Sequence, residues 1–186
     1  MSTQRHPQDA IDSKALFQMH KESWCDCEQC PLHEFASRKV FYRGRIPCDI
    51  LFLGEAPGTV EDVTGAPFTG PAGKLLDEWI SEAQDVTDFT YGIANTVACL
   101  PLVERGGKTR PPTPHEIHAC YPRLNELVRI VQPIVLITLG KTAGLYPPDG
   151  DFPRLELMHP AAVLRSGSRA QDKRQRLKLK HFLQIP

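Results

Sequence analysis

Cys27-Glu28-Gln29-Cys30 sets two thiols in one turn of chain, the spacing at which both can face a single metal centre. Cys99 and Cys120 can close a four-thiolate site from far along the sequence, and four thiolates suit zinc and an iron–sulfur cluster alike. The start of the chain, Met1 to Ala10, is polar and carries no signal-peptide core, so six cysteines point to metal ligation rather than to disulfides. Cys48, beside an apolar run, reads as a small core hydrophobe, and Cys25 as a spare ligand or a neighbour of the metal site. A second set of reactive types is Glu55, Asn95 and His159: a carboxylate, an amide with both donor and acceptor, and an imidazole. Around the first of them, Gly54-Glu55-Ala56-Pro57-Gly58 and then Gly65 to Gly73 give the backbone unusual freedom behind an apolar run. Such a segment turns sharply and approaches a ligand closely, as a pocket wall must.

The elements that position these groups follow from apolar spacing. Asp49 to Leu53, Tyr91 to Ala98, Ile134 to Leu139 and Arg154 to Met158 read as four strands, the third nearly all apolar, as in a sheet covered on both faces. Pro71 opens a helix with Leu75, Leu76, Trp79 and Ile80 along one stripe. Thr113-Pro114-His115-Glu116 is a capping box that starts a helix reaching about Val131. Its apolar face is Ile117, Cys120, Leu124, Leu127, Val128 and Val131, which makes a buried core thiol the plain alternative for Cys120. An N-terminal helix from about Asp9 to Glu22 has Ile11, Ala15, Leu16 and Met19 at helical spacing, and a polar, basic stretch ends the chain with a helix through about Phe182. Strands alternating with helices predict an α/β fold, a three-layer α/β/α sandwich around a central four-stranded parallel sheet, with residues 1–186 as a single domain. In such a sheet Glu55, Asn95 and His159, each at or beyond a strand end, share one rim.

Composition excludes some functions and leaves others open. A hydrophobic share of 41% and a charged share of 24% are those of an ordinary globular protein, and no apolar run is long enough to span a bilayer. A cytoplasmic monomer that does not engage membranes is expected. Lys plus Arg equals Asp plus Glu at 22 each, so net charge gives no argument for nucleic acid. Distribution does: the tail from Arg165 to His181 is basic while the middle, including Glu78 and Glu82, is acidic, and such a tail can lie along a phosphate backbone or form a solvated helix face. Gly140-Lys141-Thr142 invites a phosphate-loop reading that fails, because the required first glycine falls at Val135. Lys141 is then an ordinary residue at a helix start.

Taken in order, these motifs resemble the uracil-DNA glycosylase superfamily, most closely its iron–sulfur type, family 4. The resemblance covers most of the chain. It rests on Cys27-Glu28-Gln29-Cys30-Pro31-Leu32, Gly54 to Gly58, Gly65 to Gly73, Asn95-Thr96-Val97-Ala98-Cys99, Cys120 and His159-Pro160-Ala161-Ala162-Val163-Leu164-Arg165. It implies a [4Fe-4S] cluster on Cys27, Cys30, Cys99 and Cys120, zinc being the alternative. Gly54, Ala56, Pro57, Gly58, Phe68 and Asn95 would bind substrate, Glu55 and His159 would be catalytic, and Leu164 and Arg165 would touch DNA. The substrate implied is uracil in single- or double-stranded DNA, and the product an abasic site. Two departures stand out: Ala161 replaces the family's usual serine, and Arg105 to Arg110 is extra loop. In one branch of the superfamily a loop histidine bonds covalently to the DNA sugar. The loop here has no histidine before His115, which the capping box places in a helix, so turnover is implied rather than trapping.

The implied chemistry needs a base swung out of the duplex, stacked on Phe68 and read by the Asn95 amide. His159 would donate to the uracil O2 as negative charge develops, and Glu55 would orient water or stabilise the sugar cation. Leu164 would fill the vacated stack and Arg165 hold phosphate. A second class of function is a non-catalytic iron–sulfur DNA-binding or polymerase-associated module, which has no need of the Glu55, Phe68, Asn95 and His159 set. A nucleotide-binding regulator is disfavoured by the failed phosphate loop.

Overall fold

A computed structural model describes residues 7–184, with side chains from Asp12 onward. Met1 to His6 of the polar start, and the side chain of Ile11, lie outside the described part. In chain order the elements are α1 (Pro7–Trp24), a 3-10 turn (Pro31–Glu34), β1 (Tyr42–Gly44), β2 (Ile50–Gly54), α2 (Thr59–Thr64), α3 (Pro71–Gln84) and β3 (Tyr91–Asn95). There follow α4 (Pro114–Val131), β4 (Val135–Leu139), α5 (Lys141–Leu145), β5 (Arg154–Leu157), α6 (Pro160–Ser166) and α7 (Arg169–Gln184).

Among the described residues the strands form one sheet in the order β1-β3-β2-β4-β5. β2 to β5 are mutually parallel, and β1 pairs antiparallel with β3 at the edge. The expected four-stranded parallel sheet is therefore a five-stranded mixed one. Tyr42-Arg43-Gly44 spans three residues, too few to show a strand's alternation. β2 is buried throughout because both of its faces are covered. Ile50 and Phe52 pack with Leu76, Trp79 and Ile80 of α3 and Leu179 of α7, while Leu51 and Leu53 pack with Leu124, Leu127 and Val131 of α4. Helices thus lie on both faces, in three layers. The Thr113 hydroxyl accepts from the Glu116 N–H at 3.3 Å and the Glu116 carboxylate from the Thr113 N–H at 2.7 Å, so the capping box forms and fixes where α4 begins. No helix among the described residues is long and apolar enough to cross a membrane.

Two expectations about the ends of the chain are corrected. On α1, Ala15, Leu16 and Met19 face solvent, and Ser13, Phe17, His20 and Trp24 turn inward. The inward side carries few aliphatic residues, because Phe17 and His20 pack on the Tyr42 and Phe41 rings instead. The basic tail is two helices, split at Gly167, and two of its cations are paired within the protein. Arg176 binds Asp172, Glu78 at 2.8 Å and Glu82, and Lys180 binds Glu82 at 3.0 Å. Glu78 and Glu82 of the acidic middle and Arg176 and Lys180 of the basic tail are thus partners across the α3–α7 contact.

Candidate active site

β2, β3, β4 and β5 point their carboxyl ends the same way, and the loops that leave them surround a cleft of about 530 Å³. Glu55, Phe68, Asn95 and His159 all line it, as do Ala56, Pro57, Gly58 and Arg165. Gly54 lies beneath: a Cβ built there would stand 2.5 Å from Asn95 Oδ1 and 2.6 Å from two ring atoms of Phe68. Glycine is thus what lets the strand end, the amide and the ring meet at one point. Register brings Gly54 beside Asn95, and the Gly54 carbonyl accepts from both the N–H and the hydroxyl of Thr96 at 2.9 Å, which fixes where β3 ends.

Asn95 is 1% exposed, yet neither its Oδ1 nor its Nδ2 has a hydrogen-bond partner. Leaving a buried polar group unpaired costs about 1–3 kcal/mol, so two on one amide mark a place kept for a ligand. Phe68 is also held at a cost, with φ at +55°, in the left-handed region that disfavours residues bearing a Cβ. Arg43 on the edge strand secures it by donating to the Pro67 carbonyl at 2.8 Å and the Phe68 carbonyl at 3.1 Å, while its guanidinium binds Asp77 at 2.7 Å. Gly73 is required behind it, since a Cβ there would fall 1.7 Å from the Phe68 carbonyl oxygen. Glu61 ties the loop from the other side, accepting from the N–H groups of Gly58, Thr69 and Gly70 at 2.8–3.1 Å.

His159 caps α6, and its Nδ1 accepts from the Ala161 N–H at 3.1 Å. That bond leaves Nε2 as the protonated nitrogen of the neutral ring. Burial, and secondarily the Arg165 charge, depress the imidazole pKa to about 4, against a weaker opposing effect of Glu61. The ring lies 5.6 Å from the Phe68 ring, centroid to centroid. Because the bond uses the Ala161 backbone, the missing serine hydroxyl leaves it intact. Glu55 is half-buried and accepts from the Thr142 hydroxyl of α5.

Sequence reasoning missed several of these groups. Thr142 and Lys141 line the cleft, although the sequence offers Lys141 only as an ordinary residue at a helix start. Arg43 carries no local signal, and Glu61 stands out only as part of the Gly-rich stretch, with no role attached. The extra loop folds back on itself through a Leu102–Thr109 bridge, so Thr109 and Arg110 form part of the cleft wall, and Arg110 makes a two-pronged ion pair with Glu116 at 2.6 and 2.8 Å. His115 is exposed on α4, and Leu164, 46% exposed, stands outside the cleft lining.

Cys27, Cys30, Cys99 and Cys120 line one pocket, separate from the cleft, whereas Cys25 is exposed and Cys48 sits in the core. Among the described residues, no three metal-ligating side chains close on a single ion. Burial raises the Cys99 pKa to about 12, with the neighbouring cysteines adding to the effect and Lys39 opposing it; burial also raises that of Cys30. Thiols so placed ionise only against a strong cationic centre. Arg123 lines the same pocket with Nε and Nη1 buried and unpartnered. A sulfur-rich donor set beside orphaned donors fits an anionic thiolate-held group.

The Uracil DNA glycosylase superfamily model matches residues 41–183. The type-4 uracil-DNA glycosylase of Thermotoga maritima is 38% identical over 135 residues, 73% of this chain and 67% of that protein. Those of Sulfurisphaera tokodaii and Saccharolobus solfataricus are 37% identical over 126 residues and 38% over 120, covering 68% and 64% of this chain but 55% and 53% of theirs. The chain thus spans about half the length of these last two relatives. A family match across the strands that build the cleft, joined to an amide, a ring and an imidazole converging within it, has one consequence: this chain belongs to the uracil DNA glycosylase superfamily.

Proposed function

We propose that the chain removes uracil from DNA by hydrolysing the N-glycosidic bond of a flipped-out deoxyuridine, leaving an abasic site. The observation that carries this reading is the buried, unpartnered amide of Asn95 beside Phe68 and His159. A Watson–Crick edge that accepts at O4 and donates at N3 satisfies both amide atoms, whereas the amino group of cytosine meets the Nδ2 donor with another donor. Phe68 stacks on the base, an interaction worth about 1–3 kcal/mol. As the bond breaks, negative charge grows on uracil O2, and His159 Nε2 donates to it as a neutral imidazole. A single donor of this kind contributes about 100- to 1,000-fold. Glu55, oriented by Thr142, aligns water against the sugar carbon and offsets the positive charge that develops there.

Cys27, Cys30, Cys99 and Cys120 would hold the [4Fe-4S] cluster, which when bound would serve structurally, since its ligands come from the N-terminal segment, from the segment bearing Asn95 and from α4. Arg165 on the cleft wall would take a DNA phosphate and exposed Leu164 the vacated stack. A non-catalytic DNA-binding module with the same fold gains nothing from a buried amide left unsatisfied. Incubation with a uracil-bearing oligonucleotide, then alkali, tests the proposal: strands should break at uracil with the parent chain. Asn95→Asp should lose the preference for uracil over cytosine. Intact strands with both single- and double-stranded substrate would refute the activity.

A further inference from the structure

Arg123 is 1% exposed, and among the described residues it forms no ion pair with a carboxylate. A buried guanidinium of this sort is costly unless charge and hydrogen bonds compensate it. Its Nη2 donates to the Asn95 carbonyl at 2.9 Å and the Thr96 carbonyl at 2.8 Å, the two residues at which β3 ends. Nε and Nη1 are left without partners, although they are as deeply buried. The pocket that Arg123 lines contains Cys27, Cys30, Cys99 and Cys120. Arg123 and Cys120 are one turn apart on α4, and Val97, Cys99, Cys30 and Cys120 share one apolar cluster, so the two sites are joined by packing as well as by the chain.

We propose that Arg123 is a positioning residue linking the thiolate-held group to the base-reading amide. Its charge and its two unpartnered nitrogens answer the anionic group, and its Nη2 fixes the backbone from which the Asn95 side chain projects. The inference rests on the cluster reading above. It assigns the cluster's influence on base recognition to one side chain. A guanidinium suits this task because it presents several donors in a rigid plane, whereas an ammonium keeps the charge without the fork.

The experiment compares Arg123→Gln and Arg123→Lys with the parent protein, all prepared anaerobically as the full chain. Iron content, visible absorbance, loss of the cluster to a chelator, the cluster's reduction potential and uracil excision are measured on each. Arg123→Gln should lose the cluster faster by about 10- to 100-fold, the usual effect of removing a partner behind a metal ligand. Its potential should move negative, because a nearby cation favours the more negative reduced state. Arg123→Lys should keep the parent's potential while kcat/KM falls by about 10- to 100-fold. Parental cluster retention and potential in Arg123→Gln, or parental excision in Arg123→Lys, overturns the inference alone. If the glutamine variant does not accumulate, the lysine variant decides. Iron-free parent protein overturns the cluster reading and this inference with it.

Discussion

Replacing Gly54 with alanine adds one carbon at the point where the cleft is assembled. That carbon would lie 2.5 Å from Asn95 Oδ1 and 2.6 Å from the Phe68 ring, against the 3.4 Å at which ordinary contact begins. One neighbour must give way by about 1 Å, a displacement that typically costs about 100-fold in rate when it misplaces a reacting group. Neither neighbour has an easy exit. Asn95 is 1% exposed with its backbone carbonyl held by Arg123, and Phe68 is 6% exposed with its carbonyl held by Arg43. Overpacking of this kind costs about 1–3 kcal/mol, which for a chain of this size lowers the melting temperature by about 2–4 °C per kcal/mol. Gly54→Ala should therefore fold, melt several degrees lower, and excise uracil about 100-fold more slowly, close to 3 kcal/mol of lost transition-state stabilisation. Single-turnover excision scored by alkaline cleavage, beside a thermal melt, gives both numbers. Parental excision by the alanine variant would refute the assembly of the cleft around Gly54.

Two further predictions rest on charge. His159 should stay neutral down to about pH 4, read from its ring signals in an NMR titration. Its folded pKa lies below the ordinary 6.5, so its contribution to stability is fully present above pH 6.5 and is lost as pH falls towards 4. The amount is about 3 kcal/mol at most, and urea melts of the parent chain and His159→Gln across that window would expose it. Arg165→Ala should weaken DNA binding and flatten its salt dependence by about one phosphate contact, whereas Arg176→Ala should lower the melting temperature and leave the salt slope alone. Equal salt slopes for the two variants would refute the division between a DNA-facing and an internally paired cation.

What the sequence disclosed well was whatever it encodes locally. The apolar runs at β2 and β4 became parallel strands, because a strand covered on both faces cannot avoid being apolar along its length, whereas the run from Tyr91 to Ala98 is a strand only to Asn95. Thr113 and Glu116 marked the start of α4 because a capping box is complete within four residues. The shared rim of Glu55, Asn95 and His159 followed from strand polarity alone. Partnerships across the chain were harder. The charge of Arg176 looked available for phosphate because its acids on α3 are more than 90 residues away. β1 escaped because three residues at an edge need no pattern. Thr142 escaped because its value lies in Glu55, on the neighbouring strand's loop.

The residues that resist local rules also say where the function lies. The left-handed backbone of Phe68, the unpaired amide of Asn95 and the two unpartnered nitrogens of Arg123 each cost about 1–3 kcal/mol. The fold tolerates them because it supplies dedicated supports for the loop that carries the ring. Arg43 and Glu61 place five hydrogen bonds on the loops that flank Phe68, and the missing side chains of Gly54 and Gly73 leave room for it. A scaffold selected for stability alone would have paired the amide and relaxed the ring. Two of these costs fall within one cleft and the third lies in the pocket of the four cysteines, which is where the proposed function needs a base and an anionic group to be held.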